Sequence, residues 1–298
     1  MDKDRRATAS DGTELAYCIL GDGPGTPVVF LNGWTCPDAY WLKTAHAVAA
    51  AGRRVVLADN RGHGESGLPR PPVDITDDDV SVTRVATDIL EVLADAGIER
   101  AVLAGHSMGV QGLFEAYRIG GPERVAGLVP CAGTFENPVP TFADQAWLDR
   151  LFPIAEGLFG QLPLHLVTKP MRYADRLPES FTMKALRTMR VANEVVTYAD
   201  VAPHVQRFAD LDLRVLWRMM VQMRRHSAAD VLPEVEVPVL ILAGERDTFT
   251  PMSVQRRMAE LLPDNELVVF PNGGHLLPVE EADGVAAAVI DWLERRIA

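Results

Sequence analysis

Apolar residues in the first part of the chain fall in short unbroken runs, each followed by a stretch with helical spacing. Thr26-Pro27-Val28-Val29-Phe30-Leu31 is one run, ending at Asn32-Gly33. Residues 37–51 then have helical spacing and stop at Gly52. Residues 54–58 form the next run, closed by Asp59-Asn60-Arg61-Gly62-His63-Gly64. Residues 78–96 predict a helix opened by acids and ended by Gly97. A third run, Ala101-Val102-Leu103-Ala104, leads into a predicted helix with Val110, Leu113, Phe114 and Tyr117 at its apolar positions. Residues 125–129 make a fourth run. Strands apolar along their whole length are buried on both faces, so their alternation with helices predicts a parallel sheet covered on both sides.

From about residue 135 to 230 the pattern changes. Strand-like runs vanish, and proline breaks at Pro138, Pro140, Pro163, Pro170 and Pro178 punctuate a helical segment. Phe208, Leu211, Val215, Leu216, Met219, Met220 and Met223 predict one apolar helix face, with Arg214, Arg218, Gln222, Arg224 and Arg225 off it. Alternation then resumes, with strands at 237–243 and 266–270 and helices at 252–262 and 282–297. A helical block interrupting a sheet is most simply an inserted cap. The expected organisation is a core over 1–134, a helical cap over 135–232 and the rest of the core over 233–298.

Composition narrows the class. A chain of 298 residues, 48% hydrophobic and 23% charged, suits one large α/β domain with an insertion. The net charge of −12 argues against nucleic acid or an anionic membrane as partner. Cys18, Cys36 and Cys131 lack CxxC or metal-ligand spacing, so no disulfide framework and no metal site are expected, and a reducing cytoplasm is the simpler compartment. The charged start has no apolar core of a secretory signal, and no apolar stretch approaches a membrane span. The expectation is a soluble cytoplasmic protein, a monomer or small homo-oligomer.

The stretch that carries chemistry is LAGHSMGVQG, residues 103–112, where glycines stand two places before and two places after Ser107. At a sharp turn from strand to helix such glycines let backbones pass closely and push the serine oxygen outward, the mechanics of a nucleophile elbow. The plainer reading is a glycine-rich loop in which Ser107 caps a helix. An elbow demands an acid and then a histidine, each just behind a strand. Gly244-Glu245-Arg246-Asp247 and Gly273-Gly274-His275 meet the demand, with both Glu245 and Asp247 open as the acid.

Together with Asn32-Gly33-Trp34 and the Asp59–Gly64 segment, these motifs make the chain resemble the α/β-hydrolase family, in its capped esterase, perhydrolase and lactonase-like branch. The resemblance covers about residues 10–134 and 233–298 and leaves the cap largely unmatched. It implies an α/β fold with a mostly parallel eight-stranded sheet, helices on both faces and an inserted helical cap. It implies Ser107 as nucleophile, His275 as base, and Asp247 rather than Glu245 as the orienting acid, because the family's acid stands three after the glycine. The oxyanion hole would use the backbone N–H groups of Trp34 and Met108. No cofactor is implied, and the partner is a small-molecule ester or lactone with an apolar acyl or ring portion. A cofactor-free, haloperoxidase-like perhydrolase is the alternative, or a carbon–carbon bond hydrolase. A non-catalytic ligand receptor is disfavoured because all three triad residues are present.

The chain departs from the family at Asn32, where histidine is usual, and at Val110, where many relatives have glycine. His63 and His106 occupy loop positions that are structural in the family. His46, His165, His204 and His226 have no patterned neighbours and read as helix-face or surface residues. Cys36 reads as a small packed side chain. For the cap, Met219, Met223 and Trp217 are the expected lining of an apolar substrate pocket, drawn from a segment also containing Met171, Met183, Met189, Met220, Trp147, Phe152 and Phe159.

Overall fold

The computed structural model describes residues 2–144, 147–159, 176–188, 191–208 and 210–297. Pro163, His165, Pro170, Met171 and Met189 lie outside the described residues. Eight strands form one sheet: β1 (Arg5–Thr8), β2 (Glu14–Leu20), β3 (Gly25–Leu31), β4 (Arg53–Ala58), β5 (Ala101–His106), β6 (Val125–Cys131), β7 (Val239–Gly244) and β8 (Asn265–Phe270). Their spatial order is β1-β2-β4-β3-β5-β6-β7-β8. The β1/β2 and β2/β4 pairs are antiparallel and the rest parallel. The N-terminal hairpin of β1 and β2 is not among the expected elements, although β2 is apolar from Leu15 to Leu20. In β1, Arg-Arg-Ala-Thr, only Ala7 is buried, so a sheet-edge strand of this composition sends no hydrophobic signal.

The first helix is α1 (Leu42–Ala50), preceded by a 3-10 turn at Asp38–Tyr40 rather than continuous from residue 37. Next comes α2 (Val82–Asp95), which starts later than its acids suggest. The Asp79 carboxylate accepts the N–H and hydroxyl of Thr76 instead, and Ser81 Oγ caps α2 by accepting the Arg84 N–H at 3.1 Å. Then come α3 (Met108–Arg124), α4 (Trp147–Phe159), α5 (Glu179–Thr188), α6 (Tyr198–Phe208), α7 (Leu213–Arg225), α8 (Met252–Leu261), α9 (Leu277–Glu280) and α10 (Ala282–Arg296). The face expected from Phe208 to Met223 is split between α6 and α7. Asp212 ends its continuity by capping α7 with its carboxylate on the Arg214 N–H at 2.8 Å.

Two cores sandwich the sheet. One packs β-strand side chains such as Val29, Leu103 and Ile241 against α2, α3 and α8; the other packs Phe30, Val102 and Leu242 against α1 and α10. All six residues of β5 are buried, as a strand between two parallel neighbours must be. The helices α4 to α7 lie between β6 and β7 in the chain. Arginines of α7 tie them to their surroundings: Arg218 and Arg225 pair with Asp77, Arg224 with Asp149. Among the described residues no helix is long and apolar enough to cross a membrane.

Candidate active site

The motif residues stand at the C-terminal ends of four parallel strands: Trp34 behind β3, Ser107 behind β5, Asp247 behind β7 and His275 behind β8. Ser107 has a left-handed φ of 54°, which a non-glycine residue holds only where surrounding structure enforces it. The flanking glycines are part of that enforcement. A Cβ on Gly105 would lie 2.3 Å from the Gly109 carbonyl oxygen, and one on Gly109 would lie 2.6 Å from that of Leu31. The departure at Val110 is accommodated by close approach to Gly133, where a Cβ would lie 2.3 Å from a Val110 methyl.

His275 sits between the serine and the acid. Its Nε2 is 3.1 Å from Ser107 Oγ and its Nδ1 is 3.1 Å from Asp247 Oδ2. The buried Asp247 carboxylate also accepts the N–H groups of Phe249 and Thr250, at 2.7 and 3.0 Å, and the Thr250 hydroxyl at 2.7 Å. Burial pushes its pKa upward, but the His275 ring and the Thr250 hydrogen bonds outweigh this and hold it below the usual range. Glu245 is exposed and its side chain makes none of these contacts. The His275 ring is stacked on Phe249, with centroids 4.8 Å apart. His106 holds the same histidine from behind: its Nε2 lies 2.7 Å from the His275 carbonyl oxygen, where a ring N–H donates. Burial, with the neighbouring His275 adding to it, drives the His106 pKa down to about 3, so this ring stays neutral.

Met108 is the first residue of α3, so its N–H has no acceptor within the helix. Trp34 belongs to a loop in which Thr35 has φ of 63°, and its indole N–H donates to the Leu216 carbonyl on α7 at 3.1 Å. Asn32 is buried with its amide NH2 donating to the Ala58 carbonyl at 3.0 Å. Burial pushes the Cys36 thiol up to about 12.

A cavity of about 530 Å³ opens over Ser107 and His275. Its lining is largely apolar and includes Trp34, Met108, Phe181, Phe208, Met220 and Met223. Of the three residues expected to line a pocket, Met223 is on this cavity, and Met219 and Trp217 are not. Met219, 1% exposed, packs with Ile75, Val80, Val85 and Val215 below the α7 helix. Trp217 is stacked on Phe159 at 4.2 Å and Phe152 at 5.2 Å and faces a separate cavity. Around the helix the four run in the order Met219, Met223, Met220, Trp217 at steps of about 40°, 60° and 60°, and the cavity takes the middle pair, the core one end and the aromatic stack the other.

Among the cavity residues that the sequence reading did not assign to the site, three are polar groups buried or half-buried in the helices around it. His204, on α6, is half-buried in the wall; its Nδ1 lies 2.9 Å from the Tyr40 hydroxyl and its ring is stacked on Tyr40. Burial lowers its pKa to about 4. Gln111 and Thr182 are the others. Only Gln111 offered a signal, as a polar residue inside the otherwise apolar start of α3.

Residues 26–282 match a family model described as alpha/beta hydrolase fold. A 2-hydroxy-6-oxononadienedioate/2-hydroxy-6-oxononatrienedioate hydrolase of Pseudomonas putida is 26% identical over 295 residues, covering 95% of this chain and 89% of that protein. Among solved structures, a thermophilic esterase from Thermogutta terrifontis superposes with a TM-score of 0.73 at 24% identity, covering 98% of both chains. The enol-lactonase of Burkholderia xenovorans LB400 superposes with a TM-score of 0.72 at 20% identity, covering 97% of this chain and all of that one.

Proposed function

Because the chain belongs to the α/β-hydrolase fold family and is a hydrolase of that family, we propose that it cleaves a carboxylic ester or lactone through an acyl-enzyme on Ser107. The observation that carries this reading is the hydrogen-bonded row Ser107–His275–Asp247 beneath an apolar cavity. His275 Nε2 takes the Ser107 proton as Oγ bonds to the acyl carbon, and the carbonyl π electrons move onto oxygen. The Met108 and Trp34 N–H groups receive that oxyanion, each such donor being worth about 3 kcal/mol in the transition state. As the tetrahedral intermediate collapses, the imidazolium gives its proton to the departing alkoxide. Water then repeats the sequence on the acyl-enzyme, with His275 as base again, and frees the acid. Asp247 holds the Nδ1–H tautomer and stabilises the imidazolium throughout. The helices over 135–232 act as the cap, and their apolar wall favours an apolar acyl or ring portion.

A fluorophosphonate should label Ser107, found by peptide mass spectrometry, and Ser107→Ala should lose nearly all turnover of a short p-nitrophenyl ester while keeping its melting temperature. Labelling at Cys36, or activity surviving in the alanine variant, overturns the reading. Halide oxidation gained on adding hydrogen peroxide, with little ester turnover, would replace it by perhydrolysis.

A further inference from the structure

The loop behind β3 carries Trp34, whose N–H is the proposed oxyanion donor, and it is held on both sides of Thr35. Thr35 is β-branched and has φ of 63°, which such a residue keeps only where its surroundings enforce it. On one side the Trp34 indole N–H donates to the Leu216 carbonyl of α7 at 3.1 Å. On the other lies Tyr40, in the 3-10 turn that ends the loop. That turn is fixed to the core: Lys3 Nζ and Asp38 Oδ2 form a buried ion pair at 2.7 Å, and the Trp41 indole N–H donates to the Leu31 carbonyl at 3.3 Å. His204 reaches this fixed point from α6. Its Nδ1 is 2.9 Å from the Tyr40 hydroxyl, its ring is stacked on the Tyr40 ring at 5.6 Å, and its Nε2 edge faces Thr35 Oγ1 at 3.5 Å. Burial keeps the imidazole neutral and the phenol protonated, so their hydrogen bond forms in either histidine tautomer. The ring is wedged between an anchored tyrosine and the strained residue next to Trp34.

We propose that His204 is a positioning residue for the hydrolysis: oriented by Tyr40, it backs Thr35 and so keeps the Trp34 N–H aimed at the oxyanion. The proposal rests on the reading of Ser107 as nucleophile and of the Trp34 N–H as an oxyanion donor. Stacking alone leaves a ring free to slide in its own plane, whereas a directional hydrogen bond fixes that slide. An oxyanion donor is valuable because it is already in place when charge develops. A loop that drifts at Thr35 therefore weakens the transition state, while the ground-state complex, which uses the same N–H far less, is almost unaffected. Tyr40 does not line the cavity, so the bond can be removed there without reshaping the wall that meets the substrate.

The test is Tyr40→Phe, assayed with p-nitrophenyl acetate and followed by circular dichroism. Its kcat should fall about tenfold, a part of the roughly 10²–10³ that outright loss of an oxyanion donor costs, with KM within about twofold of wild type. A pentyl trifluoromethyl ketone supplies the second readout. Ser107 Oγ bonds to its carbonyl carbon, the serine proton passes to His275 Nε2, and the carbonyl π pair becomes an oxyanion. Its Ki should rise by the factor that kcat loses, whereas inhibition by the corresponding secondary alcohol, which forms no oxyanion, should stay the same. His204→Phe keeps the stack and removes the same bond from the other side, so it decides the matter should Tyr40→Phe not fold. The double variant should lose no more kcat than either single one, because both act through one bond. A folded variant whose kcat falls less than about threefold, whatever its melting temperature, overturns the proposal, as does a loss confined to KM or one the ketone does not follow. Wild-type protein that neither turns over the ester nor takes a fluorophosphonate on Ser107 removes the underlying reading instead.

Discussion

Asp247→Asn is the substitution whose consequence follows most closely from the geometry. In the native site Oδ1 accepts two backbone N–H groups, from Phe249 and Thr250, while Oδ2 accepts the Thr250 hydroxyl and faces His275 Nδ1 at 3.1 Å. An asparagine must keep its carbonyl oxygen on those two N–H groups, because turning the amide over would point NH2 at both donors. Its NH2 therefore occupies the Oδ2 position and donates to Nδ1. His275 is forced into the tautomer with its proton on Nε2, and Nε2–H cannot accept the Ser107 proton. The expected loss is on the order of 10⁴ in kcat, as in other triads with the wrong tautomer, or roughly 5.5 kcal/mol of barrier. Steady-state hydrolysis of p-nitrophenyl acetate measures it, and a melting curve checks that the buried loop survives. Glu245→Gln, on an exposed side chain outside the network, should change kcat by less than twofold. A variant Asp247→Asn that keeps more than a tenth of wild-type kcat, or a Glu245→Gln that loses most of it, refutes the reasoning about which carboxylate orients the base.

The two sets of α7 methionines should respond differently. Met220→Ala with Met223→Ala enlarges the cavity and should move acyl preference toward longer or bulkier esters, whereas Met219→Ala removes a core contact at a cost of about 2–5 kcal/mol and should lower the melting temperature with an unchanged chain-length profile. Interchanged outcomes would return the assignment of that helix face to the drawing board. Stability should also fall on mild acidification. His204 has its pKa lowered by burial from 6.5 to about 4, so its neutral folded form is fully tolerated above pH 6.5. As pH drops from 6.5 towards 4 the unfolded chain binds a proton that the folded one refuses, a loss of about 3 kcal/mol. His204→Asn, measured by urea unfolding at stepped pH, should show a shallower decline across that window; parallel curves for variant and wild type would show that His204 does not titrate as described.

Much of the site was written in local patterns. Strands buried on both faces must be apolar throughout, so β3 to β7 stand out as runs, and the loops behind them carry Trp34, Ser107 and Asp247 at positions countable along the chain. Gly105 and Gly109 advertise the elbow because only residues without Cβ let α3 approach β5 and β3 so closely. Chain order alone paired that elbow with an acid and a histidine, since each strand end of a parallel sheet opens on the same edge. Distances across the sheet were another matter. That Gln111 Nε2 reaches Met223, 112 residues later, and that His204 reaches Tyr40, 164 residues earlier, depends on how α6 and α7 are rotated onto the core. Spacing within a helix defines its apolar face but not what that face meets, and Asp212 breaks the face besides. Hence Met219 and Trp217 read the same as Met220 and Met223 along the chain, and only packing separates the core methionine and the aromatic stack from the wall of the cavity. The edge strand was decided the same way: β1 is held by its antiparallel ladder to β2, and backbone hydrogen bonds leave no trace in side-chain hydrophobicity.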